Sequence, residues 1–348
     1  MIDAGFIATL AALMGALFVW GFKTLPQERW QMIAAVPVAK DRHGEWRGMN
    51  LTFYGLFSAT GCVFGIGLAL LLLASVRVST LVAVILVAGL VLLCLPASRL
   101  VAAIVEKKSN TYTIAGAAFV AAMLLPPLVW FGAKFLAGWG LTLYVIPTLA
   151  AAAIAYALAE AIGRLACMSF GCCYGIPLRD APPRLAKVFR RCNTVFQGET
   201  KKAAYASHLQ DEPLVPVQAL TSVVFTLSGL GGLAFFLMQH WRLAVLVPVI
   251  GTWGWRTIAE NLRADHRGHT RISVYQVMSL IALAYLAGAA LLLPSSGPAP
   301  DLTLGLSELA KLPVFLVLQS LWVLLFLFYG RSQVTASVLS FHVVTERT

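Results

Sequence analysis

Long uncharged and strongly apolar stretches recur along the chain, separated by short polar segments. Eight of them contain no Asp, Glu, Lys or Arg: 4–22, 48–76, 78–98, 109–133, 135–159, 213–239, 272–300 and 312–330. A ninth begins at Leu243 and carries its first charge at Arg256. The ~20 apolar residues that cross a bilayer core as a helix fit within each stretch. The pattern therefore predicts nine transmembrane helices.

Helices are favoured over a lipid-facing β-barrel because they satisfy their own backbone hydrogen bonds in hydrocarbon. A barrel would need alternating segments of about ten residues, and the sequence does not alternate in that way. The predicted fold class is an all-α integral membrane protein, a polytopic helical bundle. The first stretch carries an acidic residue at Asp3 and lacks a small-residue cleavage site before Lys23, so we expect it to be a retained span rather than a secretory signal.

Composition and charge agree with this class. The chain is 59% hydrophobic and 12% charged, against roughly 25% charged residues in a soluble domain. If nine spans alternate, one face carries the segments 23–47, 99–108, 160–212, 256–271 and 331–348. That face then holds every Lys and Arg except Arg77, Lys134, Arg242 and Lys311. The positive-inside rule would make it cytoplasmic, whereas several arginines binding an anionic phospholipid head group would explain the same excess. No nucleic-acid partner is expected.

Charged residues embedded among apolar ones indicate a candidate site. In "GTWGWRTIAENLRADHRG", Arg256, Glu260 and Arg263 are spaced by four and three residues, which aligns them along one face of a continuing helix. Ionisable groups at the end of an apolar span are by default a functional-site hypothesis. A structural ion pair or snorkelling to the interface is the alternative. Two arginines with one carboxylate leave a positive surplus that a phosphate could fill.

The segment "AIGRLACMSFGCCYG", residues 161–175, is the second candidate. Arg164 follows an alanine-rich span, and we expect it to reach the same level of the membrane boundary as Arg256. Gly171 and Gly175 allow backbone or ligand to approach closely. We interpret the segment as the edge of a phospholipid head-group pocket.

Three cysteines in this segment, Cys167, Cys172 and Cys173, admit two interpretations. One of them could be a catalytic thiol whose pKa is lowered by Arg164, or they could be small packing residues. They lack His or Cys partners at zinc spacing, and adjacent cysteines are awkward chelators. The sequence therefore predicts neither a metal nor another cofactor.

Four ordered motifs resemble the prolipoprotein diacylglyceryl transferase family. "GRLACMSFGCCYG" resembles its signature Gly-Arg-Ile-Gly-Asn-Phe, Asn-Gly-Glu, aromatic, Gly, and "FYGL" at 53–56 opens a span. "VPVQAL" at 215–220 is similar to its Pro-Ser-Gln-Leu, and "WRTIAENLRAD" followed by "ISVYQVMS" is similar to its arginine–glutamate helix and the next span. The resemblance implies a seven-helix core at 51–293 with a polar loop at 177–213, plus one extra helix in each of 1–50 and 294–348.

The resemblance also implies an activity, the transfer of diacylglycerol from phosphatidylglycerol to a lipoprotein cysteine at the periplasmic face of the bacterial inner membrane. By matching position, Arg164 and Arg256 would be the essential arginines and Glu260 and Arg263 their partners. The substrate-binding residues implied or expected in the same region are Tyr54, Cys167, Gly171, Gly175, Gln218 and Arg263.

The chain departs from the family at its proton acceptors. Ile114 falls at the family's histidine position, Cys167 replaces the signature asparagine, and Cys172 replaces its glutamate. Loss of the histidine and the carboxylate removes the obvious bases for an incoming thiol. We therefore expect Cys172 or Cys173, or a lysine, to take part in catalysis.

The loop after the signature could bind the acceptor or a second phosphate through Lys201, Lys202, Tyr205 and His208, or it could be a solvated connector.

Two functions follow from these observations. The first is a phospholipid-dependent membrane transferase that passes a diacylglyceryl or glycerol-phosphate group to a lipoprotein thiol, a glycan or a lipid. The second is a non-catalytic phospholipid-binding or transport protein that keeps the arginine clamp.

Overall fold

The computed structural model describes residues 2–40, 42, 44, 46–105, 114–265 and 272–332. Within them, eight helices are long and apolar enough to cross a membrane. These are α1 (Ile2–Thr24), α2 (Phe53–Ser75), α3 (Thr80–Val105), α4 (Ile114–Ala137), α5 (Val145–Phe170), α8 (Val217–Leu237), α11 (Val274–Leu292) and α13 (Leu312–Gly330). Shorter helices are α6 (Pro183–Phe189), α7 (Lys202–Ser207), α9 (Trp241–Val249), α10 (Trp255–Ala259) and α12 (Leu302–Leu309). The expected polytopic helical bundle is confirmed.

The ninth expected span is interrupted. It consists of α9, a π-helical segment at Ile250–Gly254, α10 and a 3-10 turn at Glu260–Leu262. Gly251 packs so tightly on α8 that an added Cβ would lie 1.8 Å from the Ser228 hydroxyl oxygen. Such π segments are rare and occur frequently at functional sites. Here the segment ends two residues before Arg256.

The central helix α5 begins and ends later than the charge pattern predicts. The uncharged stretch ends at residue 159, yet α5 continues through Glu160 and Arg164 to Phe170. It can do so because these two residues, one helical turn apart, form an ion pair. Gly171 ends the helix in the left-handed region, with φ +72°, and its N–H bonds to the Cys167 carbonyl. Arg164 therefore lies inside a span, not after one.

A small β-sheet, which the hydrophobic pattern does not predict, caps one end of the bundle. Strands β1 (Met32–Lys40) and β2 (Trp46–Thr52) form an antiparallel hairpin, and β5 (Arg331–Ser332) pairs with β2. The Thr52 hydroxyl donates to the Gly330 carbonyl at 3.0 Å. The β2–β5 pairing and the Thr52–Gly330 bond attach the end of α13 to the strand that leads into α2. Two further strands, β3 (Thr194–Val195) and β4 (Pro213–Leu214), pair within the long polar loop.

Contacts between loops define the two ends of the bundle. At one end, Gln31 donates to the Thr200 carbonyl and Ile176 donates to the Leu262 carbonyl. At the other end, Asp301 donates to the Ser75 carbonyl. The described residues of 23–47, together with 160–212 and 256–265, therefore share one end, as the alternation of spans predicts. We call it the site end.

Candidate active site

Glu160 joins two arginines from distant parts of the chain. Its Oε1 atom accepts a hydrogen bond from Arg164 Nη2 and a second from Arg256 Nη2, the latter at 2.9 Å. The exposed fractions of these three side chains are 13–15%. Arg164 comes from α5 and Arg256 from α10, so the fold brings together the two arginines that the sequence indicates. We call Glu160, Arg164 and Arg256 the arginine cluster.

The carboxylate partner is not the expected one. The sequence predicts that Glu260 lies between Arg256 and Arg263 on one helical face, whereas Arg256 pairs with Glu160. Glu260 accepts a hydrogen bond from Ser273 Oγ at 3.3 Å. The helix gives way to a 3-10 turn at Glu260, which ends the predicted stripe. The sequence does contain a feature that indicates Glu160. It lies four residues before Arg164 within an apolar run, which is the spacing of a helical ion pair.

Arg263 leaves the helix altogether. Its backbone is extended and forms an isolated bridge with Gly175. Its Nε and Nη2 atoms donate to the two carboxylate oxygens of Asp265 at 2.7 and 2.6 Å. This two-bond pairing holds the guanidinium away from the expected stripe. Arg263 remains close enough to Arg164 and Glu260 for their charges to interact.

The arginine cluster keeps unused donors and a surplus of charge. Two guanidinium groups share one carboxylate, which leaves one positive charge. The Nε atoms of Arg164 and Arg256 are buried and have no hydrogen-bond partner among the described residues. The Arg256 guanidinium also lies over two aromatic rings, 5.8 Å from the centroid of Tyr156 and 5.5 Å from that of Trp253. A buried donor without an acceptor is unfavourable, so the cluster is suited to binding an anion.

An apolar cavity of about 210 Å³ lies beside this cluster. Residues from α2, α3, α4 and α5 line it, among them Gly65, Ile66, Leu86, Leu90, Leu125 and Ala155. Tyr156 and Ala159 also form part of its wall. Tyr156 contacts Arg256, and Ala159 directly precedes Glu160, so the cavity and the cluster adjoin. The site thus combines a cationic group with a partly open apolar cavity between α2, α3, α4 and α5.

The three signature cysteines also meet. The sulfur atoms of Cys167, Cys172 and Cys173 all lie within 4.8 Å of one another, and no disulfide links them. Hydrogen bonds to the Cys167 and Cys173 thiols, together with burial, raise the pKa of the Cys172 thiol well above its ordinary value. A left-handed backbone at Cys173, with φ +57°, accompanies the close approach of the two adjacent side chains.

The prolipoprotein diacylglyceryl transferase family matches residues 45–293 of the chain. The chain belongs to the prolipoprotein diacylglyceryl transferase family. No curated protein and no solved structure matches it. The family is one of membrane transferases that move a diacylglyceryl group to lipoproteins, and its members reside in the bacterial inner membrane. The matched region contains the arginine cluster, the three cysteines and the apolar cavity, and the resemblance read from the motifs is confirmed.

Three residues expected to bind substrate, Gly171, Gly175 and Gln218, contact other parts of the protein in this structure. Gly175 approaches the backbone of Val215, where an added Cβ would lie 2.2 Å from the carbonyl oxygen. Gln218 Nε2 donates to the Cys172 carbonyl at 2.8 Å. Both residues therefore hold the cysteine-bearing turn against the start of α8. Gly171 similarly packs on Lys201, with an added Cβ 3.0 Å from the lysine Cβ.

Tyr54 lies beside the end of α5, near the three signature cysteines. Its ring packs edge-on against Phe170, with 5.7 Å between centroids, at the end of α5. It is close enough to all three signature cysteines to interact with them electrostatically. Ile114, at the family's histidine position, is the first residue of α4, and residues 111–113 of that motif lie outside the described part of the chain.

Lys201 is not available to a substrate. Its side chain is fully buried, and its Nζ donates to the carbonyls of Leu25 at 2.9 Å and Ser169 at 2.6 Å. Burial lowers the pKa of its ammonium to about 7, with Glu28 opposing the shift. The expected role in binding an acceptor is therefore corrected, since Lys201 instead links the ends of α1 and α5.

For Lys202, Tyr205 and His208, both interpretations of the loop stay open: binding of an acceptor or a second phosphate, or a solvated connector. Tyr205 and His208 are exposed and Lys202 is half-buried. Tyr205 lies near enough to Cys172 for an electrostatic interaction. This part of the loop adjoins the cysteine turn rather than the arginine cluster.

Proposed function

We propose that the chain transfers a diacylglyceryl group from phosphatidylglycerol to the thiol of a lipoprotein acceptor. The observation that carries this proposal is the convergence of Arg164 and Arg256 on Glu160 beside the apolar cavity. A glycerophospholipid has the matching chemistry, a single negative phosphodiester joined to apolar chains. Family membership supports the class of reaction.

The arginine cluster would bind the donor through its phosphate. Arg164 Nε and Arg256 Nε supply hydrogen bonds that the described protein groups leave unused. The surplus positive charge neutralises the phosphodiester, and an acyl chain occupies the cavity walled by Tyr156. Glu160 is a positioning residue in this arrangement, because it fixes both guanidinium groups without touching the reacting atoms.

The reaction forms one bond and breaks one bond. The acceptor sulfur attacks the terminal glycerol carbon of the diacylglyceryl group and forms a C–S bond. The bond between that carbon and the bridging phosphate oxygen breaks, and its electron pair leaves with this oxygen, which remains bound to phosphorus in glycerol phosphate. The thiol proton passes to solvent. Charge grows on the departing phosphate, so the two arginines stabilise the transition state more than the ground state.

Turnover of labelled phosphatidylglycerol with a cysteine-bearing lipoprotein peptide tests this proposal. We expect Arg256→Ala to reduce turnover by about 100- to 1,000-fold, as for loss of one donor to a developing anion. The matched control is Arg179→Ala, because Arg179 is exposed and paired with Glu212 at the same end of the protein. Phosphatidylglycerol that co-purifies but is never consumed would contradict the transferase and favour a lipid-binding protein.

The site end is proposed to face the periplasm. In a Cys192→Ser background, an Ala39→Cys variant places a thiol on the exposed hairpin at this end. Arg77→Cys places one at the opposite end. A membrane-impermeant thiol reagent should label Ala39→Cys and not Arg77→Cys in cells whose outer membrane has been permeabilised. The reverse labelling would put the site in the cytoplasm.

A further inference from the structure

The cysteine turn is held in place by the protein around it. The Cys172 N–H bonds to the Cys167 carbonyl at 3.1 Å, which closes the end of α5 over the first cysteine. Gln218 on α8 fixes the Cys172 carbonyl. Gly171 and Cys173 both have left-handed backbones, which reverse the chain and gather the sulfur atoms on one side.

The distances match a thiolate-bound metal ion. Zinc binds sulfur at about 2.3 Å in tetrahedral geometry, which separates ligand sulfur atoms by about 3.8 Å. The three sulfur atoms all lie within 4.8 Å of one another, so they need to close by no more than about 1 Å to reach that spacing. A disulfide would use two of the three cysteines and leave the third as an isolated thiol.

Two arginines lie close enough to the cysteines to offset part of the negative charge of metal-bound thiolates. A zinc ion with three thiolates carries one net negative charge, which is costly to bury without positive neighbours. Arg164 interacts electrostatically with Cys167 and Cys173, and Arg263 interacts with Cys173. Residues behind the ligands commonly tune a metal in this way. The nearby carboxylates of Glu160 and Asp265 are already engaged by arginines.

We propose that Cys167, Cys172 and Cys173 bind one zinc ion through their sulfur atoms, and that no other residue in the described part of the chain fills its fourth position. Three protein ligands with one open position are typical of catalytic rather than structural zinc. Resting on the proposed function, we assign that position to the acceptor thiol. The thiol binds as a thiolate and releases its proton to solvent, and its sulfur then attacks the glycerol carbon as described above. Zinc thus supplies the activation of the thiol that a general base would otherwise provide.

Metal analysis of the full-length protein in detergent tests the site itself. After incubation with zinc and a reductant, followed by dialysis against a weak chelator, we expect about one zinc ion per chain. Cys167→Ser and Cys172→Ser should each reduce that content to near zero, while both variants remain monodisperse. Cys192→Ser is the matched control and should retain the metal, because Cys192 is exposed on a distant part of the loop. X-ray absorption should show three sulfur neighbours at about 2.3 Å.

Three results would overturn the zinc site, and the first two concern zinc uptake. One is a folded, reduced protein that takes up no zinc. The other is zinc content unchanged by Cys172→Ser. A protein that can be isolated only with a disulfide among these cysteines would also contradict it.

A spectroscopic experiment tests the open position without relying on turnover. The cobalt-substituted protein should show thiolate charge-transfer absorption, and a lipoprotein peptide with a free cysteine should change it. The same peptide with serine in place of cysteine should not. Zinc binding with no transfer would sink the proposed function, and with it the role of the open position, but would leave the zinc site itself standing. Transfer by a protein without zinc would sink this inference alone.

Discussion

Buried Lys201 and the arginine cluster differ in how their hydrogen-bond donors are used. Lys201 directs its ammonium to two main-chain carbonyls and ties α1 to α5. Arg164 and Arg256 share one carboxylate and keep buried Nε donors without partners among the described residues. Burial alone therefore does not indicate a binding site. What distinguishes the arginine cluster is unused hydrogen-bonding capacity beside an apolar cavity.

The largest expected effect is on stability when Glu160 loses its charge. Glu160→Gln leaves two buried guanidinium groups without a counter-ion, and we expect unfolding to become easier by roughly 3–5 kcal/mol. An anionic lipid should compensate for the lost carboxylate. Phosphatidylglycerol should therefore raise the thermal unfolding midpoint of the variant by more than it raises that of the parent protein. An equal shift in both would show that the phosphate binds elsewhere.

Lys201→Met should have a smaller effect, confined to stability. Near pH 10, where the burial penalty on a charged lysine is absent, loss of the two carbonyl contacts leaves buried acceptors unpaired, at about 1–3 kcal/mol. Turnover per folded molecule should stay unchanged, because Lys201 contacts the ends of helices and not the arginine cluster. Turnover and the unfolding midpoint, measured on the same preparation, separate the two effects. A selective loss of turnover would restore Lys201 as a candidate ligand for substrate.

The pH dependence of stability follows from the same lysine. Its pKa is about 7 in the folded protein, against 10.5 for an unperturbed lysine. Between these values the unfolded chain binds more protons, so stability rises with pH from about 7 to about 10.5. Below pH 7 both states are protonated and the penalty of burial is fully present. Lys201→Met should remove this contribution, and an unchanged slope in a pH series of unfolding midpoints would contradict it.

Gly163→Ala should have the smallest effect and serves as a local control. Gly163 lies in α5 between Glu160 and Arg164, and an added Cβ would meet no atom within 4 Å. Alanine in a helix is favoured over glycine by roughly 0.5–1 kcal/mol. A slightly higher unfolding midpoint with unchanged turnover is expected. A large loss would mean that the geometry of the cluster depends on flexibility of α5.

The sequence predicts the apolar helices, the site end and the approach of Arg164 to Arg256, because hydrophobic runs and charge spacing are local properties. It does not predict Glu160 as their partner, because the uncharged stretch ends at residue 159, whereas α5 continues through Glu160 and its ion pair with Arg164. The position of Arg263 depends on a helix that breaks at residue 260 and on Asp265. The pairing of β2 with β5 joins residues about 280 positions apart in the chain, such as Asn50 and Ser332, and no local pattern encodes such a pairing.

The most direct test of the central claim is a density map of the protein with bound phosphatidylglycerol. We expect a phosphate within hydrogen-bonding distance of both Arg164 and Arg256, and an acyl chain in the cavity between α2, α3, α4 and α5. A lipid phosphate bound away from both arginines, with the cavity free of acyl density, would contradict it.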